Sequence, residues 1–296
     1  MTPHVSLVIA TRDRATFLAR ALESLAAQDG APPFEVIVAD NGSRDATAQI
    51  VAERTAAAPY ALRRLYVGEP NRGAARNAGI EASSGAIVAF VDDDVWLPPG
   101  FVAAHANAHR GGERRAVSGP ILNVASYDDR PKPTVLNYSN AFLCTCNVSV
   151  PRAALLAVSG FDVRFRLYGW EDTELGLRLR RSGVRRGFAW GAFLYHIKPP
   201  KIETLDELAR KVSERAQMAA LLLEKDRSLR TKLATGAYAA NLWRARLLSP
   251  ERAAPLFRRA AGSPRLPAPL RALARGQYLD AVYVAELRRA LAEHAH

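Results

Sequence analysis

The sequence predicts an α/β protein with a doubly wound, mostly parallel sheet over roughly the first 200 residues and a helical C-terminal appendage. Three observations carry this reading. Apolar, β-prone runs alternate with helical patterns at intervals of about 25 residues, the period of strand–helix–strand units. Polar residues gather just after those runs, at the strand ends where open α/β sheets place their ligands. Beyond residue 200 the strand-like runs stop and only helical spacing continues.

The elements follow in order. Val5–Ala10 is a buried strand closed by Thr11-Arg12-Asp13-Arg14. Phe17, Leu18, Leu22 and Leu25 then mark a helix that stops near Asp29-Gly30. Phe34–Ala39 is a second strand ending in Asp40-Asn41-Gly42-Ser43, and Asp45 starts a helix running to about Ala57. Ala61–Val67 is a third strand, and Asn71–Ile80 opens another helix. Ala86–Val91 is apolar throughout, so it reads as a strand buried on both faces, and it runs into Asp92-Asp93-Asp94. If the chain stays extended there, Asp92 and Asp94 point to one side and Asp93 to the other. Three adjacent carboxylates repel, so they need a cation or an exposed turn. Their spacing suits a hard divalent ion shared with phosphate oxygens; a solvated acidic turn is the plain alternative.

Further on, the pattern predicts a helix around Phe101–His109 and a strand over Ala116–Val124. The Pro-punctuated segment Tyr127–Val135 reads as a loop. Ala141–Val150 alternates like a strand, which puts Cys144 and Cys146 on one face as small buried hydrophobes. Pro151-Arg152 begins a short helix that ends at Ser159-Gly160. Tyr168-Gly169-Trp170-Glu171-Asp172 leads into a helix with Leu175 and Leu179 on one face and Gly183 as its stop. Its acidic first turn suits a helix N-terminus on electrostatic grounds alone. Phe188–Tyr195 is a last strand ending at His196. Helices then cover about 205–223, 229–248, 250–261 and 278–292, with Ser263-Pro264 and Pro267–Pro269 as spacers. These patterns divide the chain into residues 1–200 and a helical region, 201–296.

The 296 residues are enough to bury a real core, and no stretch approaches the ~20 apolar residues of a spanning helix. Met1-Thr2-Pro3-His4 carries no basic region ahead of the first strand, so a secretory leader is not expected. Two cysteines make no disulfide framework, and their neighbours in sequence offer no zinc-ligand company. The default is a cytoplasmic protein, peripheral at most to the inner face of the membrane. The net charge of +12 is uneven: residues 196–296 hold 19 Lys+Arg against 10 Asp+Glu, whereas residues 1–195 hold 22 against 19. Such a tail suits an anionic bilayer face, a polyanionic acceptor or a dimer contact; a solvated helical surface is the bland reading. Nucleic acid is not expected, because aromatic residues placed for base stacking are scarce there.

Five stretches now stand in register: Val5–Arg14, Val38–Thr47, Asn71–Asn77, Phe90–Asp94 and Gly169–Leu179. Together they resemble family 2 inverting glycosyltransferases of the GT-A fold, over about residues 4–200. The resemblance implies metal-dependent transfer from a UDP-, GDP- or dTDP-linked sugar to a glycan, lipid-linked or small-molecule hydroxyl. It implies that Thr11 and Asp40 contact the base, with Arg12 and Asn41 in the same nucleotide-sugar-binding set, and that Arg76 sits beside the nucleotide. The Asp triplet matches the family's DxD motif, with Asp94 as metal ligand, Asp93 towards the ribose and Asp92 supporting both metal and donor. Gly-Trp-Glu-Asp matches its ED motif, making Asp172 the catalytic base with Glu171 beside it. His196 stands where some relatives supply a further ligand to Mn2+ or Mg2+, and Trp170 and Tyr168 are candidates to stack on an acceptor sugar. Each role has a physical counterpart. A carboxylate accepts a base N–H, a guanidinium forks onto diphosphate, and a sugar hydroxyl needs a base to become a nucleophile. Two alternatives stand beside this reading: a nucleotidyltransferase on a similar sheet, and a non-catalytic sugar- or polyanion-binding module. The first usually shows a Gly-rich basic loop after strand one, which Thr11–Arg14 is not; the intact Asp92–Asp94 and Asp172 argue against the second.

Overall fold

The structure, a computed structural model, describes residues 4–112, 114–200 and 203–293. The leader reading at residues 1–3 therefore lies outside the described residues. Ten strands and eleven α-helices are described. The strands are β1 (Val5–Thr11), β2 (Phe34–Asp40), β3 (Ala61–Tyr66), β4 (Ile87–Val91), β5 (Val95–Trp96), β6 (Arg115–Ser118), β7 (Ile121–Val124), β8 (Asn147–Pro151), β9 (Arg185–Phe188) and β10 (Leu194–Ile197). The first six helices are α1 (Ala15–Ala26), α2 (Thr47–Ala57), α3 (Arg72–Ala82), α4 (Phe101–Ala108), α5 (Arg152–Ala157) and α6 (Glu171–Arg181). The other five are α7 (Leu205–Lys225), α8 (Leu229–Thr235), α9 (Ala239–Leu248), α10 (Ala254–Ala261) and α11 (Ala268–Glu293). The chain splits into two compact units: Met1–Arg166 with Glu171–Lys201, and Leu167–Trp170 with Ile202–His296.

In the first unit a seven-stranded sheet runs β3-β2-β1-β4-β8-β6-β9, parallel from β3 to β4 and antiparallel on both sides of β8. Alternation along each strand sends side chains to opposite faces. Leu7 and Ile9 of β1, Val36 and Val38 of β2 and Ala89 and Val91 of β4 pack on Leu18, Leu22 and Leu25 of α1. Val8, Ile37, Val88 and Phe90 face the other way, onto Ala75 and Ile80 of α3 and Leu175 and Leu179 of α6. With each face covered, β4 is apolar throughout, and β1 and β2 are apolar except at Ser6, Thr11, Glu35 and Asp40. A smaller sheet, β5-β10-β7, stands beside this one.

Several sequence-based expectations need correction. The expected strand over Ala116–Val124 is two, β6 in the large sheet and β7 in the small one. Pro120 cannot donate to a ladder, and a Cβ on Gly119 would lie 1.8 Å from Ala192 O, so the chain turns there. The expected Phe188–Tyr195 strand is likewise divided, with Ala189–Phe193 crossing from β9 to β10. Strand β8 begins only at Asn147, so Cys144 and Cys146 both lie outside it, the first half-buried and the second buried. In the tail, Gly236 at φ 72° ends α8 and splits the helix expected over 229–248. The 278–292 helix starts ten residues earlier, at Ala268, because proline fits the first turn of a helix, where its missing N–H is not needed. Helices α7 and α11 share a core of Ala216, Ala219, Ala220, Leu223, Leu287 and Ala290.

Candidate active site

Strand register assembles the site. Thr11 stands opposite Asp40 across β1 and β2, and Ile9 stands opposite Val91 across β1 and β4. The loops after these three strands therefore open at one sheet edge. Asn41 N–H donates to Thr11 O at 2.8 Å, and the Thr11 hydroxyl donates to Asp93 at 2.7 Å. Asp45 accepts from Ala15 N–H at 2.9 Å, and Arg44 N–H donates to Asp13, stitching the β1–α1 loop to the β2–α2 loop. Asp40 is fully buried, with one oxygen accepting from Ser43 N–H at 2.8 Å and the other paired with Arg64 at 2.6 Å. Asn41 accepts from Asn71 N–H at 2.7 Å, and the Asn71 side chain caps α3 through Ala74 N–H. Asn41 thereby sets where α3 begins. Arg12 is half-exposed, 3.7 Å from Asp13.

The Asp triplet does not stay extended, although Asp92 and Asp94 both stand near His196 while Asp93 meets Thr11. The chain bends at Asp93 and Asp94, and Arg14 meets both, at 3.2 and 2.8 Å. Sequence reasoning missed Arg14. The signal was available, since a basic residue on the loop after β1 must face the end of its neighbour β4. Asp94 also lies 3.2 Å from His196 Nε2. Burial works against the Asp94 charge, but His196 and Arg14 outweigh it and hold the carboxyl below its ordinary range. Burial prevails at Asp93, which is pushed up to about 6 despite Arg14 and Thr11.

Ligating atoms of Asp92, Cys146 and His196 all lie within 4.8 Å of one another, the one such group among the described residues. Burial, and then the negative charge of Asp92, lift the Cys146 thiol well above its usual range. Asp94 meets this group through His196, and the carboxylate oxygens of Asp92 and Asp94 with the His196 imidazole are donors that suit Mn2+ or Mg2+.

Arg76 joins the triplet to α6. It lies 3.7 Å from Asp92 and 3.6 Å from Glu171, is buried, and its Nη1 has no hydrogen-bond partner. Burial opposes its charge, yet Asp172, Asp92 and Glu171 outweigh that and raise its pKa, so a cation stands in the crevice. Asp172 accepts from Thr145 N–H at 2.9 Å and from the Thr145 hydroxyl at 3.1 Å. A helix N-terminus lowers a carboxyl pKa, whereas burial raises it, and here burial wins: Asp172 is pushed up to about 6, with Glu171 adding to the effect and Arg76 opposing it. Thr145 is the second residue missed. It sits in a segment read as regular strand, and nothing in its own neighbourhood marks it. Glu174 is a fork onto Arg178 at 2.8 and 2.6 Å, part of the helix rather than of the crevice.

Trp170 and Tyr168 belong to the second unit. Trp170 has φ 72°, uncommon for a bulky residue; its indole N–H donates to Arg215 O at 2.9 Å and the Arg215 guanidinium lies 4.9 Å over its ring. It packs on the α7–α11 core, and Tyr168 is 46% exposed.

Residues 6–149 match the family model described as Glycosyl transferase family 2, and residues 132–204 match one described as N-terminal domain of galactosyltransferase. A validoxylamine A glucosyltransferase from Streptomyces hygroscopicus subsp. limoneus is 31% identical over 225 residues, covering 62% of this chain and 49% of the relative. The chain thus spans about half the length of that curated relative. The mannosyltransferase PcManGT from Pyrobaculum calidifontis, solved with GDP-Man and Mn2+, superposes with TM-score 0.63 at 19% identity, over 100% of this chain and 89% of that one. S. aureus TarS 1-349, solved with UDP-GlcNAc, gives TM-score 0.58 at 18% identity, over 98% and 91%. At such identities these two structures show the fold alone, the GT-A fold that the motif order implied.

Proposed function

We propose that the protein is a glycosyltransferase, as the match of residues 6–149 to glycosyl transferase family 2 supports. It moves a sugar from a nucleotide-diphosphate donor to an acceptor hydroxyl with inversion at the anomeric carbon. The observation that carries this is Arg76, a buried cation between Asp92 and Glu171 whose Nη1 makes no hydrogen bond, its nearest carboxylate being Glu171 at 3.6 Å. A buried donor without an acceptor is costly, so its place calls for an anion, and a donor diphosphate supplies one. Asp172 lies on the far side of that arginine. Raised to about 6, it is mostly ionised at neutral pH and still basic enough to take a hydroxyl proton as the new bond forms. The two N–H and O–H donors of Thr145 hold its carboxylate in one orientation. The base is proposed to sit at the loops that follow Thr11 and Asp40, with Arg12 beside it and Asn41 holding the start of α3, while buried Asp40 fixes its loop through Ser43 and Arg64.

Asp92, Asp94 and His196 would hold Mn2+ or Mg2+, which when bound offsets negative charge on the leaving diphosphate. The GDP-Man, UDP-GlcNAc and Mn2+ in the titles of the two structural neighbours support a nucleotide sugar and a divalent ion here. The acceptor is a glycan, a lipid-linked sugar or a small molecule, and Tyr168 and Trp170 are proposed to meet it. The test is a panel of UDP-, GDP- and dTDP-sugars with Mn2+, Mg2+ or EDTA, reading the nucleotide released. Nucleoside diphosphate released from one donor class, lost with EDTA and restored by metal, is the expected result. Pyrophosphate released when a nucleoside triphosphate and a sugar 1-phosphate are supplied instead, with no turnover of the nucleotide sugars, would point to a nucleotidyltransferase, and donor binding without turnover to a binding module; either overturns the proposal.

A further inference from the structure

The second unit carries a surface that sugar transfer does not use. Between residues 227 and 275 the chain holds eleven Lys or Arg and a single acidic residue, Glu251. The same stretch leaves large apolar side chains in water: Trp243 is 68% exposed, Leu247 65% and Leu256 66%. The two features are interleaved rather than separate. Helix α9 turns Ala245 inward, while Trp243, Arg246 and Leu247, at i, i+3 and i+4, share one outer face. Helix α10 buries none of its residues and sets Leu256 beside Arg259. Helix α11 buries Ala274 but leaves Leu270 and Leu273 exposed between Arg271 and Arg275. Helices α9 and α11 are tied by Arg244–Asp280 at 2.6 Å and by a Ser249–Gln277 hydrogen bond, so these faces belong to one packed group.

Next to them, a cleft of about 770 Å³ opens where the end of α9 meets α11. Arg246, Arg252, Arg288 and Ser249 ring it together with one acid, Glu251, over a floor of Ala281 and Val284. The chemistry of a partner follows from what each half of this surface needs. An apolar protein face would cover the leucines but bury arginines without counter-charge. A hydrophilic polyanion would pair the arginines and leave Trp243 and the leucines wet. An anionic bilayer satisfies both, since phosphates meet the guanidinium groups and the acyl boundary takes the apolar side chains. Among the described residues no helix is long and apolar enough to cross a membrane, so such a contact lies on the surface.

We propose that the α8–α11 surface docks on bilayers rich in anionic phospholipid, with the arginine-ringed cleft receiving a headgroup phosphate. This stands independently of the transfer reaction. The test sediments the full chain with vesicles of phosphatidylcholine alone, or mixed with phosphatidylglycerol, at low and high salt. The protein should pellet with the mixed vesicles, stay in solution with neutral ones, and be released by salt. Arg246→Gln and Arg252→Gln should each weaken partitioning about fivefold. Trp243→Ser should weaken it further and remove a blue shift in tryptophan emission, with thermal melting unchanged because the side chain is exposed. None of the three substituted residues belongs to the crevice, so donor turnover in solution should stay at the parent level. Absence of binding to mixed vesicles, or equal binding to neutral ones, overturns the proposal. So does a dimer in light scattering that Trp243→Ser dissolves, since a second copy would then cover the face.

Discussion

At the scale of single residues, the chemistry turns on how burial and charge divide at Asp172. Burial lifts its pKa to about 6 while Arg76 pulls the other way. A base works only when ionised, so the rate should rise with pH through about 6 and level off above it. Thr145 donates to the ionised form, and removing one donor favours the neutral acid. Thr145→Val should therefore move the acidic limb of kcat/KM to higher pH. Asp93 also sits near 6 but bonds to Thr11 rather than Thr145, so it cannot produce that displacement. A limb that stays in place in the variant would show that Asp172 does not set it. An acidic turn and an acidic helix start each have a plain structural use, so it was the order of the five motifs that singled these carboxylates out. Arg14 becomes visible once β1 and β4 are paired, whereas Thr145 meets Asp172 from a loop that no sequence pattern marks.

At the scale of elements, the crevice depends on how closely α3 lies on β1. A Cβ on Gly79 would fall 2.4 Å from Val8 Cγ1, nearer than atoms can pack. Gly79→Ala should cost about 1–3 kcal/mol in denaturant unfolding, and adding Val8→Ala should return part of it by making room. Strict additivity of the two losses would mean the helix does not approach as described. The strands of the central sheet were readable because both faces are covered, which makes most of their positions apolar. The breaks were harder. Gly119-Pro120 looked like the middle of one long strand, since apolar residues flank it and only tertiary contact with Ala192 demands the turn. Pro267–Pro269 looked like a spacer, although proline in a first turn is as compatible with a helix start as with a linker.

At the scale of the whole molecule, stability and activity respond to acid through different groups. Asn147 donates its amide to Pro120 O and Ala192 O, so its oxygen must accept from His105 Nε2, which carries the proton. The Ser149 hydroxyl then donates to His105 Nδ1 and accepts from His109 Nε2. Burial lowers both imidazoles to about 4, so both are neutral in the folded protein. A histidine depressed from 6.5 to about 4 lets the unfolded chain bind more protons between those values. Its stabilisation is complete above about 6.5 and is lost as pH falls towards 4, on the order of 3 kcal/mol for the fully buried His105. The His105 ring resonances should titrate near 4 by NMR; a midpoint near 6.5 would show the ring is solvated. Asp93 and Asp172, raised to about 6, act in the opposite sense, because protonation relieves the cost of their burial. Asp172 thus works at some expense to the fold, as an active-site carboxylate often does. The most direct test of the account is to measure, in Asp172→Asn, donor and Mn2+ binding by calorimetry beside transfer under saturating donor. Binding at the parent level with kcat down by about 10²–10⁴ is the predicted result; turnover like the parent's would contradict it.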